Sequence, residues 1–295
     1  MRWVAALLAP LLLLMLAGCS DAPGGGGPGE PANPLLYEIA AADGTPKGWL
    51  LGTIHALPPG TGWRTPEVGR VLGAADLLVV EVEGLADEAA LARTFAGLAA
   101  SPGLPPLAAR VPPDLAAPLA ALMDRGGFAP DRFDGTETWA AALALARVDA
   151  AGDPAEGVDR ALIADFAGRP VRELEGAAGQ LAIFDRLPEP QQRAMLAAVV
   201  REGTDPARDP ERLQRAWIAG DAAAIAASTR EGILADPSLR EALLTARNRR
   251  WAEAVAALLA EGKRPLVAVG AAHLVGPEGL AALLQAKGYR LRRLT

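Results

Sequence analysis

Two short apolar runs, Leu35 to Ile39 and Gly48 to Ile54, flank AADGTPK, whose Asp43-Gly44 and Pro46 favour a turn; together they predict a β-hairpin. The second run stops at His55, and a Pro/Gly loop, ALPPGTGW, follows. A helix is expected from Pro66 to Ala75, then a strand opening at Leu77 in LLVVEVEG. Acids interrupt that last run, and period-two alternation would put Glu81 and Glu83 on one face. From about Leu85 to Arg250 the pattern is mostly helical, broken at Pro102–Pro106, Gly126–Gly127, Gly152–Pro154, Gly203–Pro206 and Asp236-Pro237. Within it RPVRELEG, from Arg169, has strand character, and Asp236 and Pro237 suit the start of a helix reaching about Glu261. The end returns to α/β order: PLVAVG as a buried strand, AAHLVG as a loop, PEGLAALLQAKG as a helix and YRLRRL as an alternating strand. The expected fold is α/β, a central mixed sheet under a large helical cap, with ligand sites at strand ends.

The N-terminus reads differently. Arg2 precedes an apolar run from Trp3 to Leu16, too short to span a bilayer comfortably, and Leu16-Ala-Gly-Cys19 follows as a lipobox. Residues 1–18 are thus expected to be a cleaved lipoprotein signal, with the only cysteine, Cys19, as lipid attachment site. Acyl chains gain about 0.8 kcal/mol per buried methylene and would hold the protein at a membrane. By analogy with enterobacterial lipoproteins, Ser20 after the cysteine implies the outer membrane, facing the periplasm. Residues 19–33 are a Gly/Pro linker, and one domain is expected over 34–295.

Removing Arg2 with the leader would take the net side-chain charge from −6 to −7. The basic residues are scattered among more numerous acids, which argues against nucleic acid as a partner. Beyond Cys19 there is no thiol for nucleophilic, disulfide or metal-thiolate chemistry. The domain's serines, Ser101, Ser228 and Ser238, lie outside any GxSxG elbow, and no Walker or dinucleotide loop is present.

What remains is an echo between the two ends of the domain. Gly52-Thr-Ile-His55 closes one apolar run and Gly270-Ala-Ala-His273 closes another, and these hold both histidines of the chain. Glycine allows close backbone approach where a strand ends, so Gly52 and Gly270 are expected to position the backbone and aim the histidines into a crevice. Each could instead be a hydrogen-bonded side chain finishing its strand. Two imidazoles with a carboxylate, Glu81 being the nearest candidate, leave open positions on a divalent ion such as Zn, Mn or Co.

WLLGTIHALP, DLLVVEVEG, GVDRALIADFAGRPVRELEG and the long C-terminal stretch TARNRRWAEAVAALLAEGKRPLVAVGAAHLVGPEGLAALLQAKGYRLRRL resemble the TraB/GumN family, which includes the animal Tiki membrane proteases. The resemblance implies a fold related to erythromycin esterase and the haem-binding lipoprotein ChaN, with a divalent-metal centre. Matched residue by residue, it implies His55, His273 and Glu81 as metal ligands, and puts Glu175 and the pair Arg247-Asn248, at the family's LE and RN words, among the candidate catalytic residues. Glu137-Thr-Trp139 stands where the family often has Lys-Pro-Trp. The expected activity is a metal-dependent hydrolase acting on a peptide or small molecule. In it Glu81 or Glu83 could serve as general base, and Arg247 could stabilise an oxyanion or bind a substrate carboxylate. The alternatives are a haem- or metal-binding lipoprotein without catalysis, and a regulator that sequesters a peptide signal.

Overall fold

The computed structural model describes residues 32–295; the leader, Cys19 and the linker up to Pro31 lie outside the described residues. In chain order, β1 (Leu36–Ala40) and β2 (Pro46–Thr53) form the expected hairpin, closed where Thr45 N donates to Asp43 Oδ1. Then come α1 (Pro66–Ala74), capped by Thr65, and β3 (Leu77–Val80). The helical stretch begins with α2 (Glu88–Ala99), α3 (Ala116–Arg125), α4 (Thr138–Leu145) and α5 (Val158–Asp165). Strand β4 (Val171–Glu173) interrupts it before α6 (Gly176–Asp185), α7 (Glu189–Thr204), α8 (Arg212–Ala219) and α9 (Ala222–Ser228). A long helix opens at Asp236, whose carboxylate accepts from Ser238 N and Leu239 N. It runs as α10 (Pro237–Arg240), a π turn (Glu241–Thr245) and α11 (Ala246–Ala260). Strand β5 (Pro265–Gly270), α12 (Leu280–Ala286) and β6 (Arg290–Leu294) complete the chain.

Among the described residues six strands make one mixed sheet, ordered β4-β3-β5-β2-β1-β6. Neighbours from β4 to β2 run parallel, while β1 is antiparallel to both β2 and β6. All four parallel strands therefore end at one edge of the sheet. Their interior explains the sequence pattern: β3 is buried throughout and β5 from Pro265 to Val269, so both read as unbroken apolar runs. The segment Ala271–His273, expected as loop, is a short 3₁₀ turn.

Two large hydrophobic cores result among the described residues. One surrounds the sheet, with Leu50, Leu51, Leu78, Val267 and Trp251 among its members. The other lies inside the cap, where α4 is apolar on every side and Trp139 packs among Leu122, Leu143, Met195 and Leu196. The Glu137-Thr-Trp139 word thus serves packing: Trp139 is fully buried and Thr138 Oγ1 donates to Glu189. Among the described residues no helix is long and apolar enough to cross a membrane.

The expected sharing of a strand face by Glu81 and Glu83 is not realised. Pairing of β3 ends at Val80, so alternation stops there. Glu81 is buried, whereas Glu83 is exposed at the start of a 3₁₀ turn, its N–H donating to Glu173 Oε2. Glu173 and Glu175 are parted in the same way, with Glu173 exposed at the end of β4 and Glu175 turned inward before α6.

Candidate active site

His55 follows the end of β2, Glu81 that of β3, Glu175 that of β4 and His273 that of β5. Four adjacent parallel strands thus deliver their next polar side chains to one edge, the crevice where open α/β sheets bind ligands. His55, Glu81, Gln180, Arg247 and His273 form the floor of a cavity of about 760 Å³ beneath the cap.

Gly52 and Gly270 are at the positions where a side chain would intrude. A Cβ on Gly52 would stand 3.0 Å from Ala271 Cβ and 3.1 Å from its Cα, so the two strand ends approach only because that atom is missing. A Cβ on Gly270 would project into the site itself, 3.4 Å from Glu81 Oε1, 3.7 Å from His273 Cδ2 and 3.9 Å from His55 Nε2. The two histidines and the acid therefore converge on one small space.

Each imidazole is held from behind. His55 Nδ1 lies 2.7 Å from Asp159 Oδ2, and Thr53 Oγ1 donates to the other oxygen of Asp159 at 2.6 Å. A carboxylate only accepts, so Nδ1 carries the proton and Nε2 faces the cavity. His273 Nδ1 lies 2.6 Å from Asn248 Oδ1, while the amide nitrogen of Asn248 donates to Glu278 O at 2.8 Å. That second bond fixes the amide orientation and hence the tautomer of His273. The ring of His273 also packs on Trp251, centroids 4.4 Å apart.

Glu81 is the charged centre. Its Oε1 accepts from Gly270 N at 2.9 Å; its Oε2 accepts from Gln180 Nε2 at 2.9 Å and Arg247 Nη2 at 2.7 Å. Burial opposes ionisation, but the charges of His273 when protonated, Arg247 and His55, with the Gly270 N–H, outweigh it and take the pKa down to about 2. The histidines diverge. Burial and the neighbouring Arg247 charge push His273 down to about 3, so it is a neutral ring at neutral pH. For His55 burial acts in the same direction but is overcome by the charge and hydrogen bond of Asp159, and its pKa is raised.

Arg247 is engaged on every side. Its Nε donates to Glu175 at 3.0 and 3.1 Å, Nη2 to Glu81 Oε2 and to Glu175 Oε2 at 2.8 Å, and Nη1 to Leu243 O at 2.9 Å and His273 Nε2 at 3.3 Å. All five guanidinium N–H groups have partners in this structure, so the fork expected to meet an oxyanion or a substrate carboxylate is free only where those contacts open. Glu175 and Asn248 do not line the cavity; they hold Arg247 and His273 respectively. Glu83, also read as a possible base, lies outside the cavity altogether. Asp159 and Gln180 escaped the sequence reading. Asp159 lies within the word GVDRALIADF, where an acid just after a helix start was available as a signal; Gln180 offered none.

By the chemistry of its donors the site fits a divalent metal. His55 Nε2, His273 Cδ2 and Glu81 Oε1 surround the point that a Gly270 Cβ would occupy, and each Nδ1–H goes to an oxygen acceptor, as is usual behind metal-ligating histidines. Among the described residues, however, no three His, Cys, Asp or Glu side chains already stand at ligand spacing.

An α/β domain with a histidine and carboxylate floor at the ends of parallel strands, roofed by helices, is the class that fold and site define. The chain belongs to the TraB/PrgY/gumN family, whose model matches residues 35–293. No curated protein and no solved structure matches it.

Proposed function

We propose that this protein is a metal-dependent hydrolase acting on peptides, tethered to the cell envelope through lipid on Cys19. The observation that carries the reading is the meeting of His55, Glu81 and His273 in one space on the cavity floor. Those three residues would hold a divalent ion such as Mn, Co or Zn. When bound, such an ion supplies Lewis acidity to an attacking water and to the carbonyl under attack.

The chain's own residues do the rest. Asp159 and Asn248 fix both rings in the tautomer that presents Nε2 to the cavity. Glu81 stays anionic, its carboxylate held by Gly270 N–H and Gln180. Leu143, Phe184, Val199 and Leu243 give the cavity wall apolar surface, beside charged side chains such as Arg201, Glu202 and Arg208. The volume is that of a short peptide or drug-sized ligand.

Unstructured peptides incubated with the purified protein and followed by mass spectrometry test the reading. Cleavage is expected with added metal, is stopped by chelator, and is lost in both His55→Ala and His273→Ala. Peptide that binds yet stays intact under every metal condition would instead support capture without turnover. Cleavage unaffected by either histidine substitution would refute the proposal.

A further inference from the structure

We propose that Arg247 is a cationic place-holder: its guanidinium and a divalent ion exclude one another from the floor of the cavity. The inference rests on the metal-centre reading above, and the test below separates the two.

The exclusion is a matter of lone pairs. His273 commits Nδ1–H to Asn248 Oδ1, so Nε2 carries the only in-plane lone pair of that ring. Arg247 Nη1 stands 3.3 Å from that nitrogen. A single lone pair accepts a guanidinium proton or binds a metal ion, not both. At Glu81 the same guanidinium sits on Oε2 at 2.7 Å, supplying positive charge where the ion would supply it. The contacts are buried, with Arg247 and Glu81 side chains 8% and 10% exposed, so two cations this close would be little screened.

The structure also holds the resting place for a displaced arginine. Glu175, 8% exposed, accepts from both Nε and Nη2, and the guanidinium carbon lies 4.6 Å from the centre of the Trp251 ring. Arg247 can release His273 and Glu81 and remain paired with Glu175. Without metal the guanidinium neutralises the Glu81 carboxylate; with metal, Glu81 and His273 pass from one cation to the other. Apparent metal affinity is then the intrinsic affinity multiplied by the fraction of molecules with Arg247 withdrawn. If that fraction is about 1–10%, removing the arginine raises the affinity about 10- to 100-fold.

Equilibrium dialysis of the full-length chain against Mn²⁺, with Co²⁺ absorption as a second readout of ligand number, tests this. The variants are Arg247→Met and Arg247→Met/Glu175→Gln; the double change also removes the Glu175 charge, which Arg250 at 3.6 Å would otherwise be left to balance, and circular dichroism checks the fold. Metal binding at least about tenfold tighter than wild type, and abolished by a further His273→Ala, is the expected result. Wild-type binding as tight as that of a folded arginine variant, and dependent on both histidines, would overturn the place-holder while leaving the metal centre standing. No histidine-dependent binding in any folded form would overturn both.

Discussion

Replacing Asp159 by alanine removes the sole acceptor seen behind His55. Asp159 is 5% exposed and receives Thr53 Oγ1 and His55 Nδ1, at 2.6 and 2.7 Å. The Thr53 hydroxyl can rotate towards another acceptor, but the imidazole N–H is fixed in its ring plane and would be stranded. A buried donor left unmade costs about 1–3 kcal/mol. At roughly 2–4 °C per kcal/mol for a domain of this size, melting should fall by about 2–12 °C. On the proposed metal-centre reading the functional loss should exceed what that destabilisation explains, because partners behind a metal-ligating histidine contribute about 10- to 100-fold to metal affinity or activity. Asparagine separates orientation from charge. With its amide turned so that Oδ1 faces His55 and Nδ2 faces Thr53, whose hydroxyl can accept, the bond to Nδ1 is retained without the negative charge. Manganese dialysis and peptide turnover on Asp159→Ala and Asp159→Asn, each checked by thermal melting, give the comparison. Partial recovery by asparagine is expected. Wild-type affinity and turnover in the alanine variant would refute the claim that Asp159 orients His55.

Other outcomes follow from the same geometry. Glu83→Ala, at an exposed position outside the cavity, should change stability by no more than about 0.5 kcal/mol and leave turnover intact, as urea titration and peptide assay would report; a tenfold loss of turnover would restore Glu83 as a base. Gly52→Ala forces a methyl to 3.0 Å from Ala271 Cβ and should destabilise by about 1–3 kcal/mol in urea. Gly270→Ala meets nothing nearer than 3.4 Å, so it should fold, yet its methyl enters the space shared by Glu81, His55 and His273 and should abolish histidine-dependent metal binding in dialysis. Asp236→Ala removes the helix cap at Ser238 N and Leu239 N, worth about 1 kcal/mol. The pKa of Asp236 is lowered by its hydrogen bonds to Ser238 and Leu239, so the folded carboxylate is favoured over the unfolded one. The stability difference should be present above the unfolded pKa of about 3.9 and close as pH falls through the lower folded value, read by thermal melts from pH 7 to pH 2.

What was legible in the sequence was local. The hairpin around Asp43-Gly44, the buried runs of β3 and β5, the helix start at Asp236 and the two strand-end histidines are each written within a few neighbouring residues. What was not legible depends on strand order. His55 finds Asp159 across 104 positions, and Gln180 finds Glu81 across 99, only because β4, β3, β5 and β2 lie side by side and helices return over their ends. Sequence gives the donors of Arg247 but not their partners, and in this structure Glu81, Glu175, Leu243 and His273 occupy all of them. The Glu81 and Glu83 alternation failed for a smaller reason: a periodic rule holds only while the strand lasts, and β3 ends one residue before Glu81.

The position of the cavity follows from the same topology. Ile54, Trp217, Ile225 and Ala271 belong to the core around the sheet, while Leu143, Phe184, Val199 and Leu243 belong to the core of the cap, and all eight line the cavity. It lies where two separately packed cores abut, a common place for ligand sites because neither core can close over the other's polar edge. Polar groups of the floor come chiefly from strand ends and from α11, anchored by backbone pairing; the apolar wall comes chiefly from cap helices joined by loops. A substitution at Phe184 or Val199 can therefore alter the shape of the wall without moving His55, Glu81 or His273. In a domain built this way, the side chains of the wall and those of the floor belong to different packed layers, so one set can vary while the other is kept.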